Sequence, residues 1–451
     1  MIFAEQALLP TGWVRNLRLT LSNGAIASVT PESRPEPADC RIKTLLPALA
    51  NLHSHSFQRA MAGMTEFRAA GQDSFWSWRD LMYRFTARLS PEQIEAIAAQ
   101  VFMEMQEAGF AAVAEFHYLH HQPGGAPYAD LAELTQRIYA AAAQTGIGLT
   151  HLPVLYSYGG GGQQPLAAGQ RRFGTTPDQY ARLLDAARSA AKTLPTDTRV
   201  GIAPHSLRAT DPAGLAAILP LAKGNPIHIH IAEQPREVAD ITAWLGARPV
   251  DWLLDHADIG PDWCAIHATH MTAGETTRLA QTGATAGLCP ITEANLGDGP
   301  FNGPGWLAAK GGFGVGSDSN VRISMTGELR MLEYSQRLRD LARNVLTDAG
   351  STGQSLYGGA AVGGARALGR RAGQIAPGQL ADLTAIDHTH PGLCALTPAN
   401  LLDGLIFAAP DGVITDTWSA GRHMVRQGRH VHRDAITANW RQAVRSLMDG
   451  P

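Results

Sequence analysis

An α/β fold, a (β/α)8 TIM-like barrel joined to a small β-sandwich domain, is predicted by three observations. Short apolar runs alternate with helical stretches through the middle of the chain. Both ends carry β-rich, turn-punctuated sequence instead. A histidine pair, His53-Ser54-His55, stands where an open doubly wound sheet would carry a glycine-rich phosphate turn.

The N-terminal stretch reads as a strand over 13–21, an Asn23-Gly24 hairpin signal and a strand over 25–29. A similar texture returns over 373–386, 413–418 and 421–425. These ends predict one β-sandwich assembled from residues 1–46 and 372–430, a barrel over 47–371 and a C-terminal helix over 431–451. Within the middle, helices are expected over 91–108, 130–144, 177–192 and 212–221. The apolar runs are 45–52, 111–116, 147–152, 199–203, 227–231, 264–267, 284–289 and 312–317. Continuous apolar strands covered by helices mean a parallel sheet, and eight of them close a barrel.

Composition excludes several classes. Of 451 residues, 45% are apolar and 17% charged, which suits a globular enzyme rather than a disordered chain. A formal net charge of -3 argues against a general nucleic-acid binder. No apolar run reaches the roughly 20 residues of a membrane span, and the start lacks a secretion signal. The four cysteines form no CxxC pair, so reduced thiols in a cytoplasmic protein are expected.

Chemistry in such a barrel sits at the C-terminal strand ends. His53 and His55 share one face of the first strand, because side chains alternate with period two. By plain count, His117 with Tyr118 ends strand three, His205 with Arg208 strand five, and His230 with Glu233 strand six. His267 and Asp318 follow later strands. One such histidine means little; the series together predicts a metal site. His228 shares the facing of His230 one layer deeper and is expected to be structural, while His120 and His121 are expected to be solvated loop residues.

This constellation resembles the amidohydrolase superfamily, in particular its deaminase branch, over nearly the whole chain. There HxH follows the first strand, HxxE the fifth, a lone histidine the sixth and an aspartate the eighth. The resemblance implies that His53, His55, His230 and Asp318 hold one metal ion, Zn2+ by donor type, with Fe2+ or Mn2+ as substitutes. Two-metal members bridge their ions with a middle-strand lysine, and neither 149–153 nor 199–204 contains one. His267 would polarise the attacking water, Asp318 would take its proton, and Glu233 would pass protons to the substrate nitrogen.

Three flanking stretches, 54–63, 228–234 and 289–299, narrow the resemblance to the N-formimidoyl-L-glutamate deiminases of histidine degradation. Activated hydroxide attacking the formimidoyl carbon would yield N-formyl-L-glutamate and ammonia. The substrate is then a small dianionic amino-acid derivative, with neither nucleic acid nor membrane as partner and a homodimer as the expected assembly. Arg79 and Arg208 would anchor the carboxylates, Tyr118 and His205 would add hydrogen bonds, and Gln58 would face the formimidoyl end. Arg59, Arg84 and Arg322 are the reserve anchors. The group Phe75-Trp76-Ser77-Trp78 is expected to be loop packing. A purine or pyrimidine deaminase, or a related chlorohydrolase, is the alternative activity.

Overall fold

The computed structural model describes residues 1–67 and 75–448; the side chain of Trp76 and the last three positions of the expected 431–451 helix lie outside the described residues. Four strands open the chain: β1 (Ile2–Leu9), β2 (Gly12–Ser22), β3 (Ala25–Thr30) and β4 (Cys40–Pro47). The β2–β3 turn has positive φ at both Asn23 (49°) and Gly24 (80°), the tight hairpin geometry that the Asn-Gly pair favours.

A parallel series follows: β5 (Leu49–Ser54), β6 (Phe110–His117), β7 (Gly148–Leu155), β8 (Arg199–Val200), β9 (Ala203–Pro204), β10 (Ile227–Ile231), β11 (Trp263–His267), β12 (Thr285–Leu288) and β13 (Gly312–Val315). β8 and β9 both pair with β7 and are two pieces of one barrel strand. The break falls at Gly201, where a Cβ would lie 2.3 Å from the Pro226 carbonyl oxygen, so only glycine allows this approach. Bridges Ile202–Ile227 and Ser206–His230 join the two halves, and Ser54–Asp318 closes the ring. With β8 and β9 merged, the described residues build a barrel of eight strands.

His117 ends the second barrel strand, His205 follows the fourth and His230 lies on the fifth, each one below the plain sequence count. The run 45–52 is also not one strand. β4 belongs to the terminal sheet and β5 to the barrel, and the change falls at Ala48 within an unbroken apolar run.

The helices cover the barrel in the expected alternation. Pro91–Glu107, Pro177–Ala190 and Ala273–Gln281 each begin with a capping box, from Ser90 and Gln93, Thr176 and Gln179, and Thr272 and Glu275. Phe75, Ser77 and Trp78 lie on a helix, Phe75–Thr86, rather than in a loop.

The last strands, β14 (Leu383–Ile386), β15 (Ile414–Ser419), β16 (Arg422–Arg426) and β17 (Arg429–His430), return to the first four. Together they form one eight-stranded sheet in the order β17-β16-β15-β14-β4-β1-β2-β3, around an apolar cluster including Leu17, Leu19, Ile26, Leu45, Leu383 and Trp418. Buried Arg370 fastens this sheet to the barrel. It donates to Asp382 at 2.9 and 3.0 Å and to the Asp197 carboxylate at 3.0 Å, and Arg422 meets Asp197 at 2.8 and 2.9 Å. Removing the central cation leaves buried Asp382 without its ion pair and Asp197 with Arg422 alone. Arg370→Ala is therefore expected to cost about 3–5 kcal/mol in denaturant unfolding, where a surface arginine would cost about 0–1.

Candidate active site

Four side chains meet at the C-terminal mouth of the barrel. His53 and His55 project from one face of the first barrel strand, and their Nε2 atoms lie 3.2 Å apart. His230 Nε2 is 3.0 Å from His53 Nε2, and Asp318 Oδ1 is 3.3 Å from His55 Nε2 and 3.5 Å from His53 Nε2. All four residues are buried, and their ligand atoms lie within 4.8 Å of one another.

Hydrogen bonding assigns the histidine protons. His55 Nδ1 donates to the Phe116 carbonyl at 2.9 Å, and His230 Nδ1 donates to the His205 carbonyl at 3.0 Å. Each thus turns a bare Nε2 lone pair inward. Burial keeps these imidazoles neutral, lowering His55 and His230 and pushing His53 down to about 3. The bare lone pairs of His55 and His230 thus face His53 Nε2 at 3.2 and 3.0 Å, a clustering of nitrogen atoms that a single cation can bridge. Three imidazoles and one carboxylate are the donor set of a zinc-type centre, so the residues fit a metal ion. Phe116, the inward residue of β6, packs against three of the rings, with centroids 5.1, 5.5 and 4.5 Å from those of His53, His55 and His230. Its apolar character gave no signal in the sequence.

Asp318 is aimed by the seam between the first and last barrel strands. Its N–H donates to the His53 carbonyl at 2.9 Å, and the His55 N–H donates to the Asp318 carbonyl at 2.9 Å. At Gly316 a Cβ would lie 2.7 Å from His53 backbone atoms, so the seam requires glycine. Ala232, His267 and Asp318 all have positive φ (51°, 66° and 46°), a local strain concentrated at these strand ends. Asn51, Ser317, Asn320 and Ser54 form a buried hydrogen-bonded chain behind the seam.

His267 lies beside this cluster. Its Nε2 is 3.7 Å from Glu233 Oε1 and 3.9 Å from Asp318 Oδ2, while its Nδ1 is 3.2 Å from Glu293 Oε1. Burial opposes its charge, but the Glu233, Glu293 and Asp318 carboxylates push it up to about 10. Glu293 was visible in the sequence only as part of the stretch 289–299. His267, Cys289 and Asp318 make a second close group that shares Asp318.

A cavity opens above the cluster. Gln58, Arg79, Tyr118, His205 and Arg208 all line it, together with His55, His230, Glu233, His267 and Asp318. Gln58 Nε2 donates to the Tyr118 hydroxyl at 2.8 Å, and His205 Nδ1 is hydrogen-bonded to Ser206 Oγ at 3.0 Å. Arg208 Nη2 donates to Glu233 Oε2 at 2.8 Å. Tyr83, Tyr156 and Phe173 also line the cavity, and Gln170 Nε2 ties the Tyr83 and Tyr156 hydroxyls together at 3.1 and 2.9 Å. Sequence reasoning missed these three, which reach the mouth from a helix and two loops.

The reserve arginines lie off the cavity. Arg59 donates to the Asn320 and Val321 carbonyls and pairs with Glu104, Arg322 pairs with Asp411, and Arg84 is exposed off the cavity. His120 and His121 are not solvated. Both are buried, bonded to the Val154 and Gly174 carbonyls at 2.9 and 2.7 Å, because the loop after β6 folds under the segment around Arg172. His228 is structural as expected, bonded through Nε2 to the Ala367 carbonyl at 2.8 Å.

The chain belongs to the amidohydrolase family, whose model matches residues 44–424. Residues 1–43 match the N-terminal domain of formimidoylglutamate deiminase HutF. The chain is 47% identical over 452 residues to formimidoylglutamate deiminase of Pseudomonas aeruginosa, covering 99% of each protein. It is 29% identical over 364 residues to the 8-oxoguanine deaminase of the same organism, covering 76% of this chain and 74% of that protein. A crystal structure of an amidohydrolase from Brucella melitensis superposes with a TM-score of 0.95 at 47% identity, over 99% of both chains. Among the described residues, no helix is long and apolar enough to cross a membrane.

Proposed function

We infer that this chain is a metal-dependent hydrolase that converts N-formimidoyl-L-glutamate and water to N-formyl-L-glutamate and ammonia. The observation that carries the substrate is the full-length relationship to the Pseudomonas aeruginosa formimidoylglutamate deiminase. The cavity agrees with it. Arg79 and Arg208 supply cations for two carboxylates, and Tyr118 and His205 supply hydrogen-bonding groups beside them. The donor set His53, His55, His230 and Asp318 would hold the metal, with Zn2+ the best match. When bound, the ion would supply Lewis acidity that makes water nucleophilic near neutral pH.

The remaining work falls to side chains. His267 orients the attacking water, and Asp318, through its second oxygen, takes a proton from it. Glu233 stands between His267 and Arg208 and delivers protons to the substrate nitrogen. Water adds to the formimidoyl carbon, its C–N bond to the terminal nitrogen breaks, and ammonia leaves. The four free cysteines suit a reducing cytoplasm.

Ammonia release from formimidoylglutamate, guanine, 8-oxoguanine and adenosine by the metal-loaded protein tests this reading. Turnover of a ring with none of the amino-acid derivative would overturn it. Arg208→Ala is expected to raise KM for formimidoylglutamate about 10- to 100-fold with metal content unchanged, the loss of one charge-assisted contact. An unchanged KM would remove Arg208 from the substrate site.

A further inference from the structure

We propose that Arg208 couples acid recognition to proton transfer: it holds Glu233 in an ion pair until a substrate carboxylate takes its place, making that carboxylate a requirement for turnover as well as for binding. The inference rests on the proposed function and concerns how the same site selects its substrate.

The geometry around the guanidinium points to this exchange. Arg208 and Glu233 are both buried, 9% and 5% exposed, and both line the cavity. Nη2 donates to Glu233 Oε2 at 2.8 Å. Nε, on the same side-on edge, is buried without a hydrogen-bond partner among the described residues, and the Glu237 carboxylate oxygen is 3.9 Å away. That edge is a two-donor fork matched to a carboxylate, and only one prong is filled. Glu237 cannot move in to complete it, because the Ala232 and Glu233 backbone N–H groups hold its two oxygens at 3.3 and 2.9 Å. Glu233, by contrast, meets Arg208 through a single hydrogen bond between the side chains.

An incoming carboxylate can take both Nε and Nη2 and outcompete that single contact. Glu233 is then released toward His267 and the reacting nitrogen. A substrate without this carboxylate leaves Glu233 clamped, so specificity is expressed in kcat. An arginine that only anchored substrate would be expressed in KM.

The test compares formimidoylglutamate with two analogues, N-formimidoyl-4-aminobutyrate and N-formimidoyl-L-2-aminobutyrate, each lacking one carboxylate. One of the two is expected to show kcat lowered about 10- to 100-fold in the wild type, the strength of one charged hydrogen bond. In Arg208→Gln the kcat ratio between full substrate and that analogue should collapse toward unity. Both analogues keeping wild-type kcat, or the ratio persisting in Arg208→Gln, would overturn the coupling. A wild-type crystal structure with N-formyl-L-glutamate supplies a readout independent of the variant. It should show the ligand carboxylate on Nε and Nη2 with Glu233 withdrawn, and a retained Arg208–Glu233 bond would equally overturn the coupling. No ammonia from formimidoylglutamate itself would overturn the proposed function, a result distinct from normal turnover with no carboxylate dependence of kcat.

Discussion

Glu233→Gln is expected to lower kcat by about 10^2- to 10^4-fold while leaving the metal in place, the range over which a positioned acid-base group contributes. Glutamine keeps the shape of the side chain and can still accept from Arg208, so the cavity should persist. What disappears is the exchangeable proton. Glu233 is not part of the four-residue metal cluster, so elemental analysis should find the same metal content as in the wild type. A variant that kept kcat within about tenfold would show that protons reach the substrate by another group. His267 is the obvious alternative, since its Nε2 faces the same space at 3.7 Å from Glu233.

Stripping the metal with a chelator is expected to abolish turnover and lower Tm, with both restored by adding back Zn2+. His230→Ala should lose both responses. The reason is the separation of the donors. His53 Nε2 lies 3.0 Å from His230 Nε2 and 3.2 Å from His55 Nε2, close enough for one cation to be held by all three rings. An ion that binds only the folded chain stabilises it by mass action, so Tm should rise with metal concentration. In His230→Ala one of three imidazoles is gone and the remaining set is incomplete. A His230→Ala protein that still bound metal as tightly as the wild type would exclude His230 from the donor set.

These two experiments separate functions that lie a few ångströms apart. The first removes proton transfer and keeps the ion; the second removes the ion and keeps Glu233. Together they distinguish a chemical role for Glu233 from a structural one.

Local patterns were the legible part. Period-two alternation was enough to put His53 and His55 on one face, and the Asn23-Gly24 dipeptide was enough to mark a hairpin. The helices 91–108 and 177–192 were visible from their apolar periodicity, and the structure ends them within two residues, at Glu107 and Ala190. Boundaries without a local signal were not legible. The run 45–52 is apolar throughout, because β4 and β5 are each buried at this point, and nothing in it marks the passage from one sheet to the other. The burial of His120 and His121 was equally hidden, since their acceptors lie on segments 34 and 53 residues away.

By itself, then, the sequence determined which residue types stand at the barrel mouth and, through its motifs, which family and which donor set they imply. The tertiary structure decided how they meet. Barrel closure brings His230 to His53 across 177 residues, seats Phe116 beneath three imidazoles, and sets Arg208 against Glu233 instead of leaving it open to solvent. The physical reason is that side-chain direction follows from neighbours in sequence, whereas lone-pair convergence and charge pairing depend on distances fixed only when the first and last barrel strands join.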